Sequence, residues 1–300
     1  MYSNSNATLI HAAASEAGHG ALYRMTAPFT AISLDQLNTK ADMLERRDNK
    51  YIMGVDVLGQ AMGKLARYFD ILEINGRRKF SYDTCYFDDA DYSSYFDHHR
   101  GRRIRCKVRM RKYVDAGLCF VEVKLKHKRG MTIKERLGRP VTMHGVLDDT
   151  AVDFIHAVYS DLYKREFQSV LQPVMDMYYH RITLVAKEGG ERVTVDADMA
   201  FVTGNTARTV PGDMFLVEVK SANANGIADK ILRSLHQHST NSCSKYCVAM
   251  ATLEKVSKYN KFLTALRQLN IVPVNHGTSE VPWGPVPLVS SNIISSWSAR

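Results

Sequence analysis

Residues 104–113 read IRCKVRMRKY and residues 119–128 read CFVEVKLKHK. Successive side chains of a β-strand point to opposite faces, so residues two apart share a face. Lys107, Arg109 and Arg111 therefore lie together on one side of the first segment, with Val108 and Met110 on the other. The second segment splits the same way, Glu122, Lys124 and Lys126 against Val121, Val123 and Leu125. Asp115-Ala116-Gly117 between them reads as a tight turn, and the pair reads as a hairpin.

The same alternation recurs outward along the chain. KFSYDTCYFD (79–88), MYYHRITLVA (177–186), RVTVDADMAF (192–201) and FLVEVKSA (215–222) read as strands, the second and third joined at Gly189-Gly190. Arg181 and Thr183 oppose Ile182 and Leu184. Arg192, Thr194, Asp196 and Asp198 oppose Val193, Val195 and Ala197, and Glu218 and Lys220 oppose Val217 and Val219. DNKYIMGV (48–55) and SKYCVAM (244–250) read as further short strands. Helices are expected over 33–47 with Ser33 as N-cap, over 57–69, from Asp148-Asp149-Thr150 to about Leu171, over 226–238 and over 255–269.

A charged strand face ordinarily looks at water. Here three cations alternate along one strand, and like charges on neighbouring strands destabilise a sheet. Closing the sheet with its charged faces inward gives a polar tunnel, with the apolar faces outward under helices. A tunnel lined by Lys and Arg calls for a polyanion, and the few carboxylates, Glu122 and Glu218 among them, would hold a divalent metal beside it. The expected class is α+β, an antiparallel β-barrel tunnel with helices packed outside. One domain is expected over 31–270, between a mobile N-terminal tail (1–30) and an irregular C-terminal tail (271–300).

Charge places the polyanion. The chain has 300 residues, Lys+Arg 40 against Asp+Glu 31, for a net +9. Between Arg100 and Arg139 stand 15 Lys/Arg and 3 Asp/Glu, a surplus of 12, so the rest of the chain carries −3. Composition, at 45% apolar and 24% charged, excludes disorder and collagen- or coiled-coil-like repeats. No apolar run suits a membrane span, and no secretion signal opens the chain. Five Cys without CxxC spacing suit the cytoplasm. Nucleic-acid binding is the rival for a basic chain. It lacks a helix-turn-helix or RNP-like motif, and stays open for the cluster Arg100 to Arg105.

RRDNKY, YDTCYFD, YFDHHRGRRIRCKVRMRKY, CFVEVKLKHKRGMTIKERL, YYHRITL, RVTVDADM, FLVEVKS and SKY follow in one order from about Arg47 to about Met250. That ordered set resembles the VTC domain, the polyphosphate-polymerase domain of the vacuolar transporter chaperone and its bacterial relatives, in the triphosphate tunnel (CYTH-like) superfamily. The resemblance implies a basic tunnel that binds ATP, triphosphate or polyphosphate with Mn²⁺ or Mg²⁺. It implies phosphate-site roles for Lys50, Arg109, Arg111, Lys124, Lys134, Arg136, Arg181, Lys220 and Lys245. It makes Glu218 the metal-binding glutamate. The activity implied is ATP-dependent polymerisation; tripolyphosphate hydrolysis and binding without catalysis are the alternatives. Two features depart from the pattern. Arg46-Arg47-Asp48-Asn49-Lys50 offers one carboxylate where the superfamily's first strand has two, which puts a second metal site in doubt. The 300 residues also carry neither the SPX sensor nor the membrane segment of the yeast assembly.

Overall fold

A computed structural model describes residues 22–40, 47–127 and 132–273. The chain runs through β1 (Ala31–Ile32), α1 (Leu34–Lys40), β2 (Arg47–Gly54), α2 (Val55–Leu65), β3 (Phe69–Leu72) and β4 (Phe80–Asp88). It continues through α3 (Ser93–His99), β5 (Arg105–Tyr113), β6 (Leu118–Lys126), β7 (Thr132–Arg139) and α4 (Asp149–Tyr163). Then come β8 (Gln172–Ala186), β9 (Arg192–Thr203), β10 (Thr206–Thr209), β11 (Met214–Ser221), α5 (Ile227–Ser234), α6 (Lys245–Thr252) and α7 (Leu263–Gln268).

Among the described residues all eleven strands join one sheet, whose main path runs β2-β11-β9-β8-β4-β5-β6-β7. Every pairing on that path is antiparallel; the β1–β3 pair is parallel. The β5–β6 hairpin has the expected register, Arg109 opposite Glu122 and Lys107 opposite Lys124. It turns on Gly117, whose φ of 61° suits glycine. The expected barrel is an open one, because among the described residues the end strands β2 and β7 do not pair with each other. Lys50 of β2 acts on Lys124 of β6, depressing its pKa.

The apolar faces pack outward as expected. Tyr51, Met53, Ile182, Leu184, Val193, Val195, Phe215 and Val217 lie under α2 and α5. Val108, Met110, Val121, Val123 and Leu125 lie under α4, through Ala151 and Ile155. The Asp148 side chain caps α4 by accepting from the Ala151 N–H at 3.1 Å. Close approach fixes the start of α5: the Glu191 carboxylate accepts from the Ile227 and Ala228 N–H groups at 2.7 and 3.0 Å. A Cβ on Gly226 would meet that carboxylate at 2.4 Å, so a larger residue there would displace Glu191 from the helix start.

Several expectations are corrected. SKYCVAM is helix α6, with Ser244 as its N-cap. Residues 246–252 are buried on every side, so no helical period shows in the sequence. Not all helices lie outside. α6 and α7 pack on inward residues Ile52, Tyr86, Met175, Met177, Tyr179, Phe201 and Leu216 and fill one part of the interior. α4 stops at Tyr163, where Lys164 takes a left-handed φ of 53°, short of Leu171. The last helix begins at Leu263, after a 3₁₀ turn at Asn260–Phe262. Within the stretch expected as a mobile tail, Leu22 and Phe29 are buried in the α2 core, because both are large apolar side chains. Residues 1–21 and 274–300 lie outside the described residues.

Candidate functional site

Alternation and antiparallel register carry the charged residues of seven strands to one interior. From β5 come Lys107, Arg109 and Arg111, from β6 Glu122 and Lys124, and from β7 Lys134 and Arg136. From β8, β9, β11 and β2 come Arg181, Asp196, Glu218, Lys220 and Lys50; Arg181 faces Asp196, and Glu218 faces Lys50. Lys245, in the first turn of α6, joins them. The expected site residues thus gather on one surface, although Arg136 lies at its exposed margin.

Three carboxylates divide this cation surplus among themselves. Glu122, 1% exposed, receives Arg109 at 2.5 Å and Lys134 at 2.7 Å, with Arg111 at 3.9 Å. Burial alone would raise its pKa; the two arginines and Lys134 outweigh burial and hold it far below the usual carboxylate range. Asp196, fully buried, receives Arg181 at 2.6 Å and Lys245 at 2.5 Å. Against burial, these cations bring it to about 2. Glu218 lies between Lys50 at 3.2 Å and Lys220 at 3.4 Å, and is held well below its ordinary value by them, by Lys245 and by Arg181.

Three of the lysines respond the other way. Lys124 is pushed down to about 8 by burial and by Lys50, with Glu218 only partly offsetting them. Lys134 is pushed down to about 8 by burial and by Arg109 and Arg111, despite Glu122. Lys107 is lowered by burial; its ammonium reaches the Ser244 hydroxyl at 2.8 Å and His98 Nδ1 at 2.5 Å.

Tyrosines form the floor, which the charge pattern does not reveal. Tyr82 and Tyr179 stack with centroids 5.0 Å apart. Arg181 lies 5.3 Å from the Tyr82 ring and Arg111 5.6 Å from it; Lys245 lies 5.6 Å from Tyr179. A cation over an aromatic face gains electrostatically, so the rings help hold these charges. Tyr82 and Tyr86 share the inward period of β4, opposite Tyr113 and Arg109, and that period is the signal the sequence offers for them. Buried atoms without a hydrogen-bond partner include Arg111 Nε, Tyr179 Oη, Thr84 Oγ1 and Thr194 Oγ1. Orphaned buried polar groups of this kind suit a ligand rich in oxygen.

One reading changes. Asp198 does not share the face of Asp196: its φ of 52° sits at a β8–β9 register shift, and it bonds outward to His180 Nδ1 at 2.8 Å. Glu122, expected beside Glu218 as a metal-holding carboxylate, sits as the hub of three cations. Among the described residues no three His, Cys, Asp or Glu side chains gather to hold a metal ion. Glu218 is a carboxylate that would hold a divalent ion there, with phosphate oxygens and water completing the shell, the usual manner for Mg²⁺.

The family model for the VTC domain matches residues 45–254. No curated protein matches the chain. Among solved structures, a proposed adenylate cyclase from Bacillus halodurans aligns with a TM-score of 0.40 at 10% identity, over 67% of this chain and 95% of that chain. The PH1819 protein from Pyrococcus horikoshii aligns at 0.39 and 14% identity, over 70% and 99%. A proposed adenylyl cyclase from Hippeastrum, whose structure reveals a dominant triphosphatase activity, aligns at 0.39 and 10% identity, over 73% and 100%. At that similarity no activity transfers from them.

Proposed function

The chain belongs to the VTC domain family, and from that premise we propose that it is an ATP-dependent polyphosphate polymerase working within residues 31–270. The observation that carries the reading is the interior itself, where cations from six strands and α6 outnumber three carboxylates. Phosphoryl transfer requires chiefly positioning and neutralisation of spread negative charge, with no protein nucleophile. Arg109, Arg111 and Arg181 supply fork-shaped donors that match phosphate oxygens in pairs. Lys50, Lys124, Lys134, Lys220 and Lys245 supply point charges along the same path, and Arg136 serves its margin. A bound triphosphate takes over the cations that Glu122, Asp196 and Glu218 now share. Glu218 would then be released toward a divalent ion, Mn²⁺ or Mg²⁺, which would supply further charge neutralisation at the phosphate oxygens.

The reading also assigns the compartment to the cytoplasm. No helix among the described residues is long and apolar enough to cross a membrane. Incubating purified protein with ATP and Mn²⁺ tests the activity. Accumulation of long polyphosphate supports the polymerase. Release of free phosphate from ATP or tripolyphosphate without polymer makes it a hydrolase using the same cradle. Tight binding with neither product makes it a binding module.

A further inference from the structure

The inward faces of β5 and β6 end, beside the turn at Gly117, in side chains of another kind. Beyond the rung where Arg111 faces Phe120, Tyr113 faces Leu118. Phe120 lies opposite Gly138 on β7, so no cross-strand side chain covers its ring from that side. Tyr113 packs edge-on against Phe120 with centroids 5.8 Å apart, and lies 5.1 Å from Tyr82. Leu118 is 51% exposed, and Tyr113 and Phe120 are half-buried. Among the described residues neither ring belongs to an apolar core, unlike the outward residues of the same strands. The exposed Arg136 guanidinium lies over the Phe120 ring, 5.0 Å from its centroid. The opposite end of β5 and β6 carries cations instead, Lys107 facing Lys124 and Arg105 facing Lys126.

Aromatic side chains ordinarily stabilise a fold by burial. These two stand open at one end of a cation-lined interior, next to the Arg111 fork. Tyr113 and Arg111 are two residues apart on one strand, about 7 Å at the usual rise. A ribose bridges a span of that order between a base and its first phosphate. We propose that Tyr113 and Phe120 form a nucleobase subsite, on which the base of a nucleoside triphosphate stacks while its phosphates enter toward Arg111 and Arg109. The inference rests on the phosphate-tunnel reading above and adds to it the end by which the nucleotide enters and the residues that hold its base. The base slots between the Phe120 ring and the Arg136 guanidinium, since each is a planar partner for a π-face. Gly138 keeps the space beside that ring free: a Cβ there would come within 3.8 Å of it. Every base has a π-face, so the subsite favours nucleotides over inorganic triphosphate without choosing strongly among bases.

The test sets a nucleotide against a bare triphosphate. Equilibrium binding of β,γ-imido-ATP and of tripolyphosphate, with and without Mg²⁺, is measured for the wild type, for Tyr113→Ala/Phe120→Ala and for Arg109→Ala. The double variant should bind the nucleotide about tenfold more weakly, the scale usual for a base on an aromatic platform, and tripolyphosphate within about twofold of the wild type. Arg109→Ala should weaken both ligands. Phe120→Leu keeps apolar bulk and removes the ring; it should show the same selective loss in smaller degree, and it stands in for the double variant should that fail to fold. Phe120→Trp adds a spectroscopic readout, since the emission it gains over the wild type should be quenched by the nucleotide and not by tripolyphosphate. Equal losses on both ligands, unchanged nucleotide binding in the ring variants, or emission indifferent to the nucleotide overturns the nucleobase subsite. Where Arg109→Ala is impaired on both ligands, the tunnel reading survives that result. A wild type that binds neither ligand removes the tunnel reading and this inference together.

Discussion

Replacing Glu122 by Gln separates the electrostatics of the empty interior from that of the occupied one. Glu122 is 1% exposed and holds Arg109 and Lys134 directly. Removing one partner of a buried ion pair leaves the other charge uncompensated, a loss of about 3–5 kcal/mol. Arg109 is 25% exposed and Lys134 42%, so water in the interior screens part of the change. The expected loss is therefore at the lower end, about 3 kcal/mol. For a domain of this size that lowers Tm by about 6–12 °C. Tripolyphosphate should then close much of the gap. At about 100 times its Kd it adds about 2.7 kcal/mol to the wild type, and it should bind the variant more tightly because one repelling carboxylate is gone. The assay is thermal unfolding of both proteins with and without tripolyphosphate. A Tm unchanged by the substitution, or a gap that tripolyphosphate leaves as wide as before, refutes the assignment of Glu122 as the internal counter-charge. If Glu122 instead held a metal, a chelator would lower the wild-type Tm about as far as the substitution does.

The opposite strand faces give a second contrast. Arg111→Ala should weaken triphosphate binding strongly, whereas Lys112→Ala, whose side chain faces Asp83 on the other side of the sheet, should change calorimetric affinity little; equal effects would reverse the face assignment. Lys124 and Lys134 have folded pKa values near 8, below their unfolded values. The unfolded chain then binds more protons between about pH 8 and pH 10, so ligand-free stability contributed by these lysines should rise with pH across that window. Tripolyphosphate affinity should fall over the same window as the lysines lose charge, and parallel trends in melting and titration experiments would contradict the shifts. Glu218→Gln should retain phosphate binding but lose stimulation of turnover by Mn²⁺; a normal response to added Mn²⁺ would make Glu218 a salt-bridge partner only.

Strand faces are legible because a period of two leaves no freedom: once one cation points inward, its neighbours two residues away must follow. That logic puts Arg109, Arg111, Lys124, Arg181, Glu218 and Lys220 on the inward face. It fails at Asp198, where a register shift breaks the period and turns the side chain outward. It also misses β7, where both faces of Thr132–Arg139 are polar or half-exposed and no apolar stripe marks the strand. α6 escapes it for the converse reason. A helix enclosed on every side keeps apolar or small residues throughout, and Tyr246-Cys247-Val248-Ala249-Met250 has no face to display. Which cation each carboxylate holds is a matter of tertiary distance, and no spacing in the sequence encodes that Lys245 reaches Asp196.

The sheet thus divides its work between its two faces. A cation-rich interior opposes its own assembly when no anion is present, so stability must come from elsewhere. It comes from the outer faces of the same strands, where Val193, Val195, Val217 and Val219 pack beneath α2 and α5, and Val108, Val121 and Val123 beneath α4. The helix plug of α6 and α7 adds a third apolar core inside one part of the sheet. Because β2 and β7 do not pair with each other, the wall carrying Lys124 and Lys134 is tied to the wall carrying Lys50 and Glu218, among the described residues, through β4, β8 and the plug. An anion that binds both walls supplies a direct link between them. Polyphosphate should therefore stabilise β2 and β7 more than β4 and β8, and amide exchange resolved by strand would show the difference. Uniform protection would mean that the walls are already rigidly joined and that the anion neutralises charge without linking them.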